Sequence, residues 1–391
     1  MASKEFLTIS IIMFTEVIGW TLILPFLPYY AEEFGASPLI VGLILSTFSI
    51  FQFISAPIIG KLSDRYGRKP LLIISQVSTM TGFLMLGFAN SLLMIFLSRL
   101  VDGLFGSNMT LTRAYLTDLS KGRKRRKQIS YFGAIFGFGF FIGPAVGGLL
   151  AAINYAVPSL VAAGVSLVTI VLTILFLKET VVVKKKVKIT KEDFIPVKDF
   201  IYGLKIKSLK RYFTVFSLFS LSFVLVTSSL ALFVKHQLGV GPENVGLIMM
   251  VIGLVRILFQ LLILPRLIDR EDIMQLVDAG LLMSAIGMLL VFFVDSMWLL
   301  YLIGVLFSVG SGLTRPMIIA EVSELVKKRE RGRIMGVIDS IGSIAQITGP
   351  LIGGMIINYL YPGYLGIIGG SLMLVALLVE LLYKRTEERF I

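Results

Sequence analysis

Twelve continuous apolar runs dominate this 391-residue sequence, at roughly 6–28, 38–60, 70–90, 91–117, 128–152, 156–177, 211–234, 244–264, 273–294, 297–320, 334–357 and 363–383. Each is about 20 residues or longer, enough for a helix to cross the hydrocarbon core of a bilayer. Inside that core no water satisfies the backbone, so a spanning segment must bond internally as a helix or close into a barrel. The runs do not alternate apolar with polar residues, which excludes a barrel. Composition agrees: 56% of residues are hydrophobic and 16% charged, with a mean hydropathy of +0.89. The expected fold is an all-α integral membrane protein with twelve transmembrane helices.

The formal charge of +13 raises the possibility of nucleic-acid binding, but its distribution gives a different answer. Lys61, Arg65, Arg68 and Lys69 fall between spans 2 and 3, and Lys121 to Lys127 between spans 4 and 5. The Lys-rich stretch Lys178–Arg211 separates spans 6 and 7, and further basic residues follow spans 8, 10 and 12. The other side of the membrane carries only Lys235. Basic residues stay cytoplasmic, so both termini and the 178–210 loop are expected inside a cell membrane. The excess is topological, with some attraction to anionic lipid, and no nucleic-acid partner is expected. The first run is long enough to span and no cleavage site follows it, so it reads as a helix rather than a cleaved leader. With no cysteine and one histidine, neither a disulfide nor a metal site is expected. His236, at the outer end of span 7, reads as a solvated residue.

The chain repeats itself. "GKLSDR" (60–65) follows span 2 and "PRLIDR" (265–270) follows span 8, while "GPAVGG" (143–148) lies in span 5 and "GPLIGG" (349–354) in span 11. Two parallel six-span repeats are the ground plan of a secondary transporter, with its substrate site between them at mid-membrane. The expected division is an amino-terminal six-helix bundle over 1–177, a cytoplasmic linker over 178–210 and a second bundle over 211–391. Part of 193–208 has the pattern of an amphipathic surface helix. The two glycine motifs, with Gly143, Pro144, Gly147, Gly148, Gly349 and Pro350, place poor helix formers inside spans. Neighbouring helices must re-satisfy the backbone there, and small residues let them approach closely.

At this point the motifs resemble a family. "GKLSDRYGRKP" (60–70) is similar to the signature loop of the major facilitator superfamily. Gly60 and Gly67 permit a sharp turn, and Asp64 can accept hydrogen bonds from a helix N-terminus. The resemblance implies a conformational latch of Gly60, Asp64, Arg65, Gly67 and Arg68, with Arg68 meeting an acid at the end of span 4, here Asp118. "EVIGWTLILPFLP" (16–28) resembles the first span of twelve-span drug/proton antiporters, tetracycline-efflux proteins most closely. Those carry an acid nine residues before the first proline, where Glu16 stands. "RLVDGLFGS", "GPAVGG" and "DAGLL" continue the likeness, although Asp102 stands where the family often has Gln. The resemblance implies two pseudo-symmetric six-helix bundles, a monomer, and export of a small molecule in exchange for protons.

Intramembrane charge is costly, so each such residue is a functional candidate by default. Arg99 and Asp102 are three apart and share one helix face. They form either a self-neutralising structural pair or an acid tuned by a cation. Glu16 has no cation within a turn and is the cleaner proton carrier, its alternative being an interior hydrogen bond only. Asp278 matches the acid of "DAGLL", and with Arg315 and Asp339 it forms either an ion-pair cluster or part of the transport path. Arg256, near mid-depth in span 8, is placed either to attract an anionic group or to pair with an acid.

Three functions fit a membrane chain of this design: a proton-driven exporter of apolar or amphipathic compounds, a proton-coupled symporter or facilitator for a sugar or organic acid, and a receptor or scaffold. The spans are poor in Asn, Gln and Trp, which disfavours a polar solute, and no large soluble domain supports a scaffold. No GK[ST] phosphate loop is present, so neither an enzyme nor ATP-driven transport is expected. The expected partners are a small-molecule substrate, protons and lipid, with the proton gradient as driver and no cofactor.

Overall fold

The computed structural model describes residues 4–119, 122–181, 206–268, 272–327 and 330–388, and no strand occurs among them. Span 1 is Lys4–Ile23, followed by a break and the short helix Leu27–Glu33. Pro28 stands in the first turn of that helix, where its missing N–H costs nothing. Span 2 is Pro38–Tyr66 and span 3 Arg68–Gly87. Span 4 is two helices, Leu92–Phe105 and Asn108–Leu119. Spans 5 and 6 are Gly122–Ala151 and Ala156–Phe176. Span 7, Lys207–Phe233, ends in a π-turn over Val234–Leu238, and span 8, Pro242–Leu258, runs through a second π-turn, Phe259–Ile263, into Leu264–Ile268. Spans 9 to 12 are Ile273–Leu290, Met297–Leu325, Arg331–Tyr359 and Tyr364–Glu388.

Among the described residues eleven helices are long and apolar enough to cross a membrane, and span 5 adds a shorter apolar stretch, Ile135–Ala151. The expected spans are therefore present, with span 4 divided. Most of the 178–210 linker and of the expected surface helix over 193–208 lies outside the described residues.

Polar side chains set the starts of two helices. Ser91 accepts a hydrogen bond from the Met94 N–H at the start of span 4. Asp272 accepts from Met274 (2.7 Å) and Gln275 (3.3 Å) at the start of span 9. Both satisfy donors that the first turn leaves without an intrahelical partner.

Packing divides the chain into two compact units. The first comprises Met1–Ala36, Thr47–Ile195 and Gly241–Met250; the second comprises Ser37–Ser46, Pro196–Val240 and Val251–Ile391. The first has a core of Ile9, Ile12, Leu72, Leu111 and Tyr115, all fully buried. The second is built around Phe213, Phe216, Phe219, Val277 and Leu281. Lipid is as apolar as these side chains, so packing density and small residues, rather than the hydrophobic effect, hold such helices together.

The two glycine motifs make this visible. In the first unit, a Cβ on Gly148 would stand 2.6 Å from the Pro242 carbonyl oxygen, and one on Gly246 would stand 2.4 Å from that of Pro144. In the second unit, a Cβ on Gly354 would stand 2.4 Å from the Pro38 oxygen, and one on Gly42 would stand 2.4 Å from that of Pro350. The same seam is built twice: a Gly-Pro-x-x-Gly-Gly helix lies backbone against backbone on a Pro-x-x-x-Gly segment, "PENVG" or "PLIVG". Ser46 adds a bond to the Ile347 carbonyl at 2.7 Å. Both motif helices continue through their prolines, Pro144 and Pro350.

This geometry predicts that Gly148→Ala and Gly354→Ala each cost about 1–3 kcal/mol through overpacking. Gly164→Ala, where nothing lies within 4 Å, should be neutral or mildly stabilising because alanine is the better helix former. Thermal unfolding in detergent measures all three; equal effects at the three sites would refute the seam.

Candidate functional site

Glu16 is buried in span 1, and its Oε2 accepts a 2.7 Å hydrogen bond from Asn108 Nδ2. The same amide lies 3.0 Å from Thr79 Oγ1, and that hydroxyl donates to Asp102 Oδ1 at 2.8 Å. Asp102 Oδ2 stands 3.5 Å from Arg99 Nη1, with both side chains almost wholly buried. Arg99 also reaches Ser98 Oγ at 3.3 Å and sits over the Phe83 ring, 5.9 Å from its centroid. One continuous polar line thus joins two carboxylates and a guanidinium across spans 1, 3 and 4, within the first unit.

The break in span 4 makes this possible. The first half ends at Phe105 and the second begins at Asn108, so Asn108 starts a new helix instead of following the face of Asp102. A Cβ on Gly106 would stand 2.2 Å from the Asp102 carbonyl oxygen, 2.5 Å from its Oδ1 and 3.0 Å from Thr79 Oγ1. Only glycine leaves room for the carboxylate and the hydroxyl to meet there. Gln52 Nε2 bonds the Gly106 carbonyl at 3.2 Å, and Ser55 bonds that of Gly103 at 3.0 Å, so side chains from span 2 satisfy backbone groups freed near the break. Three buried atoms of the cluster have no hydrogen-bond partner among the described residues: Glu16 Oε1, Asn108 Oδ1 and Arg99 Nη2.

The sequence singled out Glu16, Arg99 and Asp102, and the structure joins all three. Asn108 and Thr79, which make the connection, were not picked out. The signal was slight: an uncharged amide just after a Gly-Ser pair, inside an apolar run.

The 60–70 loop folds around Arg68. Its guanidinium pairs with Asp118 (3.0 Å) and Asp64 (2.5 Å) and donates to Ser63 Oγ (2.5 Å). Asp118 is thus the acid expected at the end of span 4. Gly67 takes a φ of +109°, which a side chain rarely tolerates, and so permits the turn between spans 2 and 3. Asp64 does not cap a helix here. Glu179, after span 6, accepts from the first two N–H groups of span 3, Arg68 at 2.9 Å and Lys69 at 3.1 Å. A carboxylate there complements the helix dipole. Arg65 stacks on Tyr66, 5.1 Å from its centroid, and does not join the latch pairs.

Asp278 faces the charges of Arg211, Glu380 and Lys384, and its Oδ1 is buried with no hydrogen-bond partner among the described residues. Arg211 and Glu380 form a fully buried bidentate ion pair, with Nε bonded to Oε2 at 2.7 Å and Nη2 to Oε1. Glu380 carried a readable signal, a single acid inside an apolar run. The first unit has a looser counterpart of opposite polarity, Glu5 with Lys178 at 3.6 Å. Arg256 lies over the Phe223 ring, 5.8 Å from its centroid, within electrostatic reach of Arg315. Arg315 and Asp339 stand on exposed faces of spans 10 and 11.

A repeated helical membrane chain with charged groups inside its spans has the plan of a membrane transporter. The sequence profile of the Major Facilitator Superfamily matches residues 9–277 and 276–389, so the chain belongs to that superfamily and is a transporter, not an enzyme. The class H tetracycline resistance protein of Pasteurella multocida is 25% identical over 98% of this chain and 97% of its own. The class B protein of Escherichia coli is 26% identical over 97% and 95%, and multidrug resistance protein 1 of Bacillus subtilis is 28% identical over 92% and 93%. Among solved structures, the human organic anion transporter MFSD10 (TETRAN) superposes with a TM-score of 0.74 at 21% identity, covering 96% of this chain and 99% of that one. A peptide transporter, POT, superposes with a TM-score of 0.82 at 16% identity, covering 98% and 95%. The shared fold is that of the superfamily.

Removing one member of a buried ion pair leaves an uncompensated charge and costs about 3–5 kcal/mol. Arg99→Leu is therefore expected to lower the unfolding temperature sharply, and Asp102→Asn in the same protein to restore much of the loss. Thermal unfolding of the two variants in detergent checks this; an Arg99→Leu protein as stable as the parent would refute the pairing.

Proposed function

We propose that this protein exports small apolar or amphipathic compounds in exchange for protons, by alternating access. The observation that carries this reading is the buried line from Glu16 through Asn108 and Thr79 to Asp102 and Arg99. Arg99 balances one of its two carboxylates. Among the described residues the Asn108 amide is the only hydrogen-bond partner of Glu16, so its proton decides whether that segment carries net charge. A charge that appears and disappears inside a membrane helix bundle makes two conformations differ in energy, and a proton gradient then drives one toward the other. Coupling follows if substrate and proton favour opposite states. The names of the relatives, tetracycline and multidrug resistance proteins, support export and an apolar or amphipathic cargo. In this reading the protein works as a monomer in the cell membrane with both termini cytoplasmic, uses no cofactor, and draws on the gradient alone.

Arg68, Asp64 and Asp118 are the latch of the cycle. Their pairs hold the ends of spans 2, 3 and 4 together, and turnover requires that this junction load and release. Asp278 is assigned to the same cycle as a second titratable group, held beside the Arg211–Glu380 pair.

The test is reconstitution in proteoliposomes with an imposed pH gradient and a panel of cationic, neutral and anionic dyes. Glu16→Gln, an isosteric change that removes the titratable group, should abolish gradient-driven movement while leaving the unfolding temperature near that of the parent; near-normal pumping would overturn the assignment. Asp64→Asn should slow turnover by about tenfold without changing substrate affinity, as expected of a residue that gates a conformational step. A change in KM with kcat intact would count against the latch.

A further inference from the structure

Arg256 is the mid-span charge of the second unit that the reading above leaves unused. It lies 14 residues from Pro242 and 12 from Ile268, which is about 21 and 18 Å at 1.5 Å per residue. An arginine at that depth costs several kcal/mol unless a counter-charge or water meets it. Among the described residues no carboxylate or carbonyl is bonded to it; its nearby charge is Arg315, of the same sign. What it does contact is aromatic. The guanidinium sits over Phe223, which stacks on Phe219 at 5.9 Å and on Phe307 at 5.4 Å between centroids. Three residues beyond Arg256 the helix widens into the π-turn Phe259–Ile263, a distortion that recurs at functional sites and re-aims the side chains around it.

We infer that Arg256 and the half-buried Phe223 ring beneath it form a subsite for amphipathic organic anions. A carboxylate, sulfonate or phosphate of the ligand meets the guanidinium, and its apolar body lies against Phe223, which the buried Phe219 and Phe307 rings hold in place. The chemistry follows from the parts. A guanidinium offers two parallel N–H donors to an oxyanion, and the bond is strong because both partners are charged. Phe223, held by its buried neighbours, offers an apolar contact beside the guanidinium suited to a ring system. The proposal names a substrate class for the exporter and rests on that reading only for its transport arm. An anionic phospholipid headgroup presents the same chemistry, and the experiment separates the two sources.

The full-length protein in neutral detergent is equilibrated with 2-naphthoate, and separately with 2-naphthamide, which keeps the ring and lacks the charge. Equilibrium dialysis reads binding for the parent, Arg256→Gln and Arg256→Lys. We expect Arg256→Gln to weaken naphthoate at least about tenfold, the scale of a lost hydrogen bond to a charged group, and to change naphthamide less than twofold. Arg256→Lys should recover part of the loss. Phosphatidylglycerol added to the micelles should compete only weakly. Equal losses for both probes, or none, overturn the subsite. Full displacement of naphthoate by phosphatidylglycerol, with less anionic lipid retained by Arg256→Gln, overturns the substrate assignment in favour of a lipid site. If Arg256 instead balances a carboxylate of the protein, Arg256→Gln weakens both probes alike and shifts the pH dependence of dye movement, which also overturns it. Binding needs no gradient, so it stands or falls separately from proton-driven export in the proteoliposomes used for Glu16→Gln.

Discussion

A carboxylate inside a membrane helix must be given hydrogen-bond donors by other helices, because neither lipid nor its own backbone supplies them. Two such carboxylates, Glu16 and Asp102, set the requirements for the first unit. Their donors come from spans 3 and 4 as Thr79, Asn108 and Arg99. To deliver Asn108 to Glu16 while Asp102 faces Thr79, span 4 cannot remain one uninterrupted helix. It breaks at Gly106 and Ser107, and the freed backbone is met by Gln52 and Ser55 from span 2. The broken helix, the glycine at the break and the polar side chains of span 2 are thus consequences of one electrostatic demand.

The glycine motifs answer a second demand of the same solvent. Helices in lipid gain little from burying apolar side chains, so they associate where their backbones can come close. The Gly-Pro-x-x-Gly-Gly helices achieve this against Pro-x-x-x-Gly segments, once in each unit and with matching residues. The proline pairs with the design. Its carbonyl is the atom that the facing glycine admits, so a residue that looks like a fault in a helix becomes one side of the closest contact. A motif that resembles an antiporter signature in span 5 therefore has a packing role that its copy in span 11 shares.

Charge is handled differently in the two units. In the first, the buried acids are linked to each other and to one arginine. In the second, the tightest pair is Arg211 with Glu380, and Asp278 lies close to it. Sequence spacing grouped Asp278 with Arg315 and Asp339 because their depths agree. Depth along a helix does not fix the direction a side chain faces, and Asp278 turns toward spans 7 and 12. The same ambiguity hid Glu179, which lies beyond span 6 but caps span 3, where an acid of the loop itself had been expected.

The sequence by itself determined the number and length of the spans, the repeat, the family, and most of the acids and arginines inside the spans, with Arg211 and Glu380 passed over. All of these depend on local composition, and a bilayer reads local composition directly: an apolar run of sufficient length has no alternative to a helix. Only the tertiary structure decided which of those charges meet, that span 4 is broken, and that Asn108 and Thr79 connect Glu16 to Asp102. The physical reason is that a hydrogen bond between helices depends on their rotation and approach. Those are set by backbone contacts at residues such as Gly148 and Gly354, whose neighbours are remote in the chain.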